Sequence, residues 1–393
     1  MITVCHIITQ LELGGAQQNT LYTVKHLNRS EFTPVLITAA EGMLIPEAEG
    51  YRDVKKYYIP SLRREISPYH DAKALHQIRR ILTEESQQAR VPLIVHTHSS
   101  KAGIIGRWAA KWAGVSQIVH SVHGFGFHQY QPFLKRWIFI LLERMTSKIT
   151  NHFIAVSSAN IATGIRFKLF RSSQISLIRS GIDLSQFQKY ARDSLPNFEQ
   201  WRVNKARALQ LPTHVPIVGM IACFKPQKAP EDFVRIIKRL TANIPDVHAV
   251  MVGDGILRPQ IEQLIMENDL EEHISLLGWR EDIPELLPLF EVLVLTSRWE
   301  GLPRVCPQAM AAGVPIVATA VDGIPEAVQD GVNGYLQTPG DIQGFARKLE
   351  YLLQHPDVSR KMGRQGRQRV AEFDIHRMVE QQEALYHSLV RVT

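Results

Sequence analysis

Apolar and polar positions along this chain come in alternating blocks. Short aliphatic runs recur at Val4–Thr9, Val35–Thr38, Leu93–Thr97, Ile118–Val122, Phe153–Val156 and Ile175–Ile178. A second series follows at Ile217–Ala222, Ala249–Val252, Ile274–Leu277, Val292–Leu295 and Ile316–Ala318. Between the runs lie stretches with helical spacing, as at Leu21, Val24 and Leu27. Continuous apolar runs predict strands buried on both faces, and their alternation with helices predicts parallel sheets covered by helices. Each half holds enough strands for its own doubly wound sheet. The pattern predicts an N-terminal Rossmann-like domain over 1–186, a linker and second Rossmann-like domain over 187–374, and a terminal helix over 375–393 packing back toward the first domain. Leu184 to Thr213 has no strand-like run and is rich in Gln, Arg, Lys and Asp. It predicts a connection with one polar helix. Two such domains facing across a cleft would line it with strand C-terminal ends.

The most informative unit runs from Val292 to Pro315. A strand, Val292–Leu295, leads into a loop with one carboxylate, Glu300. A helix follows, with Pro303 and Pro307 placed where a first turn needs no internal amide donor. It stops at Gly313-Val-Pro315. The helix start is aimed beyond the strand ends, where an anion is stabilised. The amides of Arg304 and Val305 can hold a diphosphate there. Glu300 can accept from sugar hydroxyls, and Gln308 from a ribose.

Other loops carry weaker signals. Gly14 and Gly15 in Gln10-Leu-Glu-Leu-Gly-Gly-Ala16 allow backbone amides to approach a phosphate, or simply form a tight turn; the three-glycine dinucleotide fingerprint and the P-loop lysine are absent. His96-Thr-His98 and His120-Ser-Val-His123 end two strands. His123 can bond a sugar hydroxyl or a phosphate, or be a structural histidine. A metal site there is disfavoured, because neither cluster contains Asp or Glu. Lys225 and Lys228 precede a helix and can neutralise a diphosphate, or form a solvated basic loop. Gly253 permits a sharp strand-to-helix bend in which Asp254 caps the helix. Trp279 and Arg280 follow another strand and can flank a nucleobase. The segment Phe133–Lys148 interleaves Lys135, Arg136, Arg144 and Lys148 with apolar residues and Trp137; it suits a membrane surface or an ordinary half-buried helix.

Composition narrows the picture. At 393 residues, 45% hydrophobic and 21% charged, the chain fits a globular protein of two domains. No run approaches the roughly 18 apolar residues of a membrane span. Met1 leads directly into a strand, without the regions of a signal peptide. Cys5, Cys223 and Cys306 are scattered, which fits a reducing cytoplasm and argues against a zinc cluster. The net charge of +7 suits phosphate-bearing ligands or an anionic membrane surface. No aromatic–basic motif points to nucleic acid.

Taken in order, Leu13-Gly-Gly-Ala16, Val95-His-Thr-His-Ser-Ser-Lys-Ala-Gly103, Val122-His-Gly124, Ser180-Gly-Ile-Asp183, Lys225-Pro-Gln-Lys228, Val252-Gly-Asp-Gly255 and Glu300-Gly-Leu-Pro303 resemble the retaining glycosyltransferases of family 4 over most of the chain. The His-Thr-His-Ser-Ser-Lys segment is similar to enzymes of bacterial surface-polysaccharide assembly.

The resemblance implies the α/β GT-B fold and transfer of a hexose-type sugar from a UDP- or GDP-sugar to an acceptor hydroxyl, with retention at the anomeric carbon. It implies His123, Glu300 and Lys228 as catalytic residues. Gly14, Gly15, Lys225, Gly253, Trp279, Arg280, Gly301, Leu302, Arg304, Val305 and Gln308 then surround the donor. It implies no metal or cofactor, since no paired carboxylates of the metal-chelating kind are evident. It suggests a sugar or lipid-linked saccharide acceptor, and a cytoplasmic enzyme in peripheral contact with the inner face of the membrane. Two positions depart from the family pattern. Gln308 stands for its second Glu, at a cost of roughly 1–2 kcal/mol in charge assistance. Cys223 stands for an Arg, for which Lys225 compensates without a bidentate fork. These departures leave a non-enzymatic nucleotide-sugar binder as one alternative and a nucleotide-sugar epimerase as another.

Overall fold

The computed structural model describes residues 1–89 and 91–391. The chain divides into two compact units, one formed by Met1–Gly181 with the stretch from Ile375 onward, the other by Ile182–Asp374. The first holds strands β1 (Ile2–Ile7), β2 (Phe32–Thr38), β3 (Lys55–Tyr58), β4 (Leu93–His98), β5 (Gln117–Val122), β6 (His152–Ala155) and β7 (Ile175–Leu177). They lie in the order β3-β2-β1-β4-β5-β6-β7, all parallel. The second holds β8 (Ile217–Ile221), β9 (His248–Val252), β10 (Ile274–Leu276), β11 (Val292–Leu295), β12 (Ile316–Thr319) and β13 (Gly334–Gln337). Their order is β10-β9-β8-β11-β12-β13, again all parallel. Both are Rossmann-like sheets, and the strand order reverses beside β1 in one and beside β8 in the other.

The apolar runs become the central strands because both their faces are covered. On β1, Cys5 and Ile7 pack with the helices Pro68–Ala89 and Ser100–Trp112 through Ala74, Ile78, Ile105 and Ala109. Ile2 and Val4 face the other way, against Met378, Val379 and Tyr386 of the C-terminal helix Ile375–Arg391. In the second unit Val218, Met220, Ala249 and Met251 pack with Phe233, Ile237 and Phe345. Two strands lacked a sequence signal. β3 is Lys-Lys-Tyr-Tyr and β13 is Gly-Tyr-Leu-Gln; both are edge strands, only half covered, so polar residues are tolerated. The expected single polar helix is replaced by the helices Leu184–Gln188 and Phe198–Ala208 with a short 3₁₀ turn, Arg192–Ser194, between them. Among the described residues no helix is long and apolar enough to cross a membrane.

Candidate functional site

In the second sheet β8 lies next to β11, and the chain leaves these two neighbours in opposite directions. Loops leaving their C-terminal ends diverge and open a crevice between them. Those loops carry Lys228 and Glu300. The Lys228 ammonium donates to Glu300 Oε1. Ser297 Oγ donates to the same oxygen at 2.7 Å, and Gln227 Nε2 approaches Oε2 at 3.4 Å. The Glu300 amide donates to Asp322 Oδ2 at 2.7 Å. Glu300 is 8% exposed. A carboxylate so buried is stable only because donors surround it. The two loops are also stitched together through the backbone. Arg298 N donates to Gln227 O at 2.8 Å, Gln227 Nε2 to Trp299 O at 2.9 Å, and Thr296 Oγ1 to the carbonyls of Lys228 and Ala229 at 2.9 Å. Gln227, Ser297 and Asp322 were not singled out in the sequence, because nothing in their spacing marks them as neighbours of Glu300.

The helix after Glu300 spans Val305–Ala312, with Arg304 as its N-cap. It starts later than the sequence suggested: Pro303 lies outside it and Pro307 in its first turn. No side chain caps it, so its start keeps the positive end of the backbone dipole. Gly313, at φ +76°, ends it. Gly301 and Leu302 are buried, while Arg304, Val305 and Gln308 are half-buried. Burial, helped by the Glu300 charge, pushes up the carboxyl of Asp322 and the thiol of Cys306.

The Lys225 loop is fixed by its neighbours. Phe224 N donates to Asp254 O at 2.8 Å, and Leu257 N to Phe224 O at 3.0 Å. Gly253, at φ +122°, passes so close to this loop that a Cβ would lie 2.0 Å from Ala222 O. Its amide donates to Gly278 O at 2.8 Å, which ties in the segment bearing Trp279 and Arg280. Asp254 does not cap the next helix. That helix starts at Arg258 after Leu257, and the Asp254 carboxylate instead accepts from Gly255 N and Arg258. Trp279 is exposed, and the Arg280 guanidinium is gripped by Asp282 at 2.7–2.8 Å. That grip, with Lys205, holds the Asp282 carboxyl well below the usual range.

The first unit places its candidates at the equivalent reversal, beside β1 and β4. Gly14 precedes the helix Gly15–His26, whose first turn contains no acidic residue. His123 lies just past β5, with Nε2 at 3.4 Å from His98 Nδ1. His98 Nε2 in turn lies 3.1 Å from His6 Nδ1. His96 is held by Tyr386 Oη at 2.6 Å and Ser121 Oγ at 2.8 Å. Burial drives His6, down to about 3, and with it His96, His98 and His120, far below the ordinary imidazole range, so all four are neutral. Ring nitrogens of His6, His96 and His98 come within 4.8 Å of one another, a spacing a metal ion can use. The nitrogens of His96 and His98 already have hydrogen-bond partners, however, while His6 Nε2 has none among the described residues. His6 was missed because only the β1–β4 register brings it opposite His96. Gly103 allows the ring of His120 to pack against its helix; a Cβ there would lie 2.5 Å from Cε1.

Comparison with known proteins gives this geometry a context. Residues 13–186 match the model of glycosyltransferase family 4, and residues 202–369 match that of glycosyl transferases group 1. The chain is 30% identical to the UDP-Gal:alpha-D-GlcNAc-diphosphoundecaprenol alpha-1,3-galactosyltransferase of Escherichia coli, over 99% of this chain and 97% of that one. The chain belongs to the family 4 glycosyltransferases. This glycosyltransferase is also 23% identical to the capsular polysaccharide biosynthesis glycosyltransferase CapM of Staphylococcus aureus, over 92% of each chain. Its GT-B fold matches Anabaena HepE in complex with UDP and glucose at a TM-score of 0.82 and 20% identity, covering 99% of this chain and all of that one.

Proposed function

We propose that this glycosyltransferase moves a hexose from a UDP-sugar to a hydroxyl of a lipid-pyrophosphate-linked saccharide, with retention at the anomeric carbon, in the assembly of a bacterial surface polysaccharide. The Lys228–Glu300 pair at the β8/β11 strand reversal, just before an uncapped helix start, carries this reading. The names of the Escherichia coli and Staphylococcus aureus relatives and the UDP bound in the structural neighbour support it.

In this mechanism Lys225, Lys228 and the amides of Arg304 and Val305 hold the diphosphate and stabilise it as it departs. Lys228 and Ser297 both bond Glu300 Oε1, while Gln227 approaches Oε2 only at 3.4 Å, which leaves that oxygen able to accept from sugar hydroxyls. Gln308 accepts from the ribose, and Trp279 flanks the base. The bond from the sugar C1 to the phosphate oxygen breaks, and its electron pair leaves on UDP. The acceptor oxygen attacks the same face, and its proton passes to the departing phosphate oxygen. His123, with Gly14 and Gly15, serves the sugar and acceptor side. No step runs through a metal.

Peripheral membrane contact is part of the proposal. The Phe133–Ser147 helix is inside out: Glu143 and Thr146 are buried, the former paired with Arg107 at 2.7 Å, while Leu134, Trp137, Ile138, Leu141 and Met145 face outward. Lys135, Arg144 and Lys148 stand exposed among them. Apolar residues flanked by cations fit an anionic lipid surface, where a lipid-linked acceptor resides.

Incubation with UDP-, GDP- and ADP-hexoses and a lipid-pyrophosphate saccharide tests the reading. It predicts transfer from a UDP-hexose and an α-anomeric product by NMR. Donor binding without turnover would support the binder instead, and an altered sugar from donor alone would support an epimerase.

A further inference from the structure

We propose that His6 and His98 are positioning residues that fix the proton of His123 on Nδ1 through a one-way chain of imidazoles. The three rings are linked in series, His6 Nδ1 to His98 Nε2 at 3.1 Å and His98 Nδ1 to His123 Nε2 at 3.4 Å. His6 and His98 are neutral, because burial removes their charged forms. A neutral imidazole has one donor nitrogen and one acceptor nitrogen, so each link transmits its direction to the next.

Two directions satisfy both links, and the far end of the chain distinguishes them. His6 is fully buried, and its Nε2 has no hydrogen-bond partner among the described residues. If the chain ran from His123 toward His6, that atom would carry a proton with nothing to receive it. Orphaned buried N–H groups are rarer in folded proteins than under-satisfied acceptors. The chain therefore runs outward: His6 Nδ1–H donates to His98 Nε2, and His98 Nδ1–H donates to His123 Nε2. His123 then carries its proton on Nδ1. The scaffold around the chain supports a fixed arrangement. His96, whose ring centroid lies 4.2 Å from that of His98, is pinned by Tyr386 of the C-terminal helix and by Ser121. His98 and His123 also line a small cavity with Asn19, Ser180 and Gln382.

The consequence is chemical. With its proton held on Nδ1, His123 acts as a donor from that atom and can hydrogen-bond a hydroxyl or phosphate oxygen without first gaining charge. That this partner is the donor sugar rests on the transfer reading above; the tautomer does not.

The test is solution NMR of the full-length chain labelled with ¹⁵N,¹³C-histidine, since imidazole shifts report the tautomer directly. The expected result is the Nδ1–H tautomer at His6, His98 and His123. An Nε2–H signal at His6 or His98, or one equivalent of bound zinc on the purified protein, overturns the proposal. A second arm uses His98→Asn, whose side-chain amide nitrogen occupies the place of Nδ1, and His98→Gln, whose amide lies at the Nε2 position. His98→Asn keeps His123 in the Nδ1–H form; His98→Gln releases it and lowers kcat about tenfold or more with little change in KM. Equal behaviour of two folded variants overturns the relay. Wild-type shifts as expected with no transferase activity would instead leave the relay standing and count against the transfer reading.

Discussion

Lys228 and Glu300 lie 72 residues apart and meet in a direct ion pair, with Ser297 on the same carboxylate oxygen. Their meeting follows from strand order. β8 and β11 are neighbours at the reversal of the sheet, so the loops that leave them face one crevice. Removing either partner leaves the other charge partly buried. Lys228→Ala strands a carboxylate that keeps Ser297 and Gln227, and a loss of about 1–3 kcal/mol in stability is expected. Lys228→Met, which removes the charge but keeps the volume, is expected to recover part of it. Urea unfolding of the two variants measures both.

Gly253 is expected to be irreplaceable for backbone reasons. Alanine there would set a Cβ 2.0 Å from Ala222 O at a φ of +122°. Gly253→Ala should cost about 2 kcal/mol or more and displace the loop carrying Lys225 and Lys228. Thermal unfolding with and without UDP gives both effects, as a lower Tm and a smaller shift on adding UDP.

Gln308→Glu tests the departure from the family pattern. A carboxylate near a ribose restores charge-assisted acceptance, and UDP should bind about fivefold more tightly or better. Isothermal titration with UDP reads the change.

The buried histidines predict acid sensitivity. His6, His96, His98 and His120 have depressed pKa values in the fold and ordinary ones, near 6.5, when unfolded. Below pH 6.5 the unfolded chain binds protons that the native chain refuses, so stability is full above that pH and falls as pH drops. Each histidine adds a slope of up to about 1.4 kcal/mol per pH unit. Urea midpoints between pH 7.5 and 5 should fall steeply, and His98→Gln should flatten the slope by one histidine's share.

The outward face of the Phe133–Ser147 helix predicts lipid binding. Leu134→Asp with Leu141→Asp should lower co-sedimentation with vesicles containing anionic phospholipid about tenfold, and raising the salt should weaken wild-type binding. Donor hydrolysis in solution should be unaffected by the pair, since both side chains are exposed on a helix that carries none of the residues assigned to the donor.

Much of this architecture was legible because a parallel sheet buries its central strands on both faces, and the eleven apolar runs became eleven strands. β3 and β13 were illegible for the same reason: an edge strand needs little apolar character. Glu300, Lys228 and Gly253 announced themselves by loop position. Asp322 and Ser297 did not, because a carboxylate or hydroxyl that orients another residue has no spacing rule. His96 and His98, two apart on one strand, must share a face. His6 joins them only through the β1–β4 register, which is tertiary information.

The most direct measurement is steady-state transfer from a UDP-hexose by Glu300→Gln and Lys228→Ala, each checked for folding by circular dichroism. The account predicts at least about a tenfold loss of kcat/KM in both folded variants. Transfer at the wild-type rate in both would contradict it.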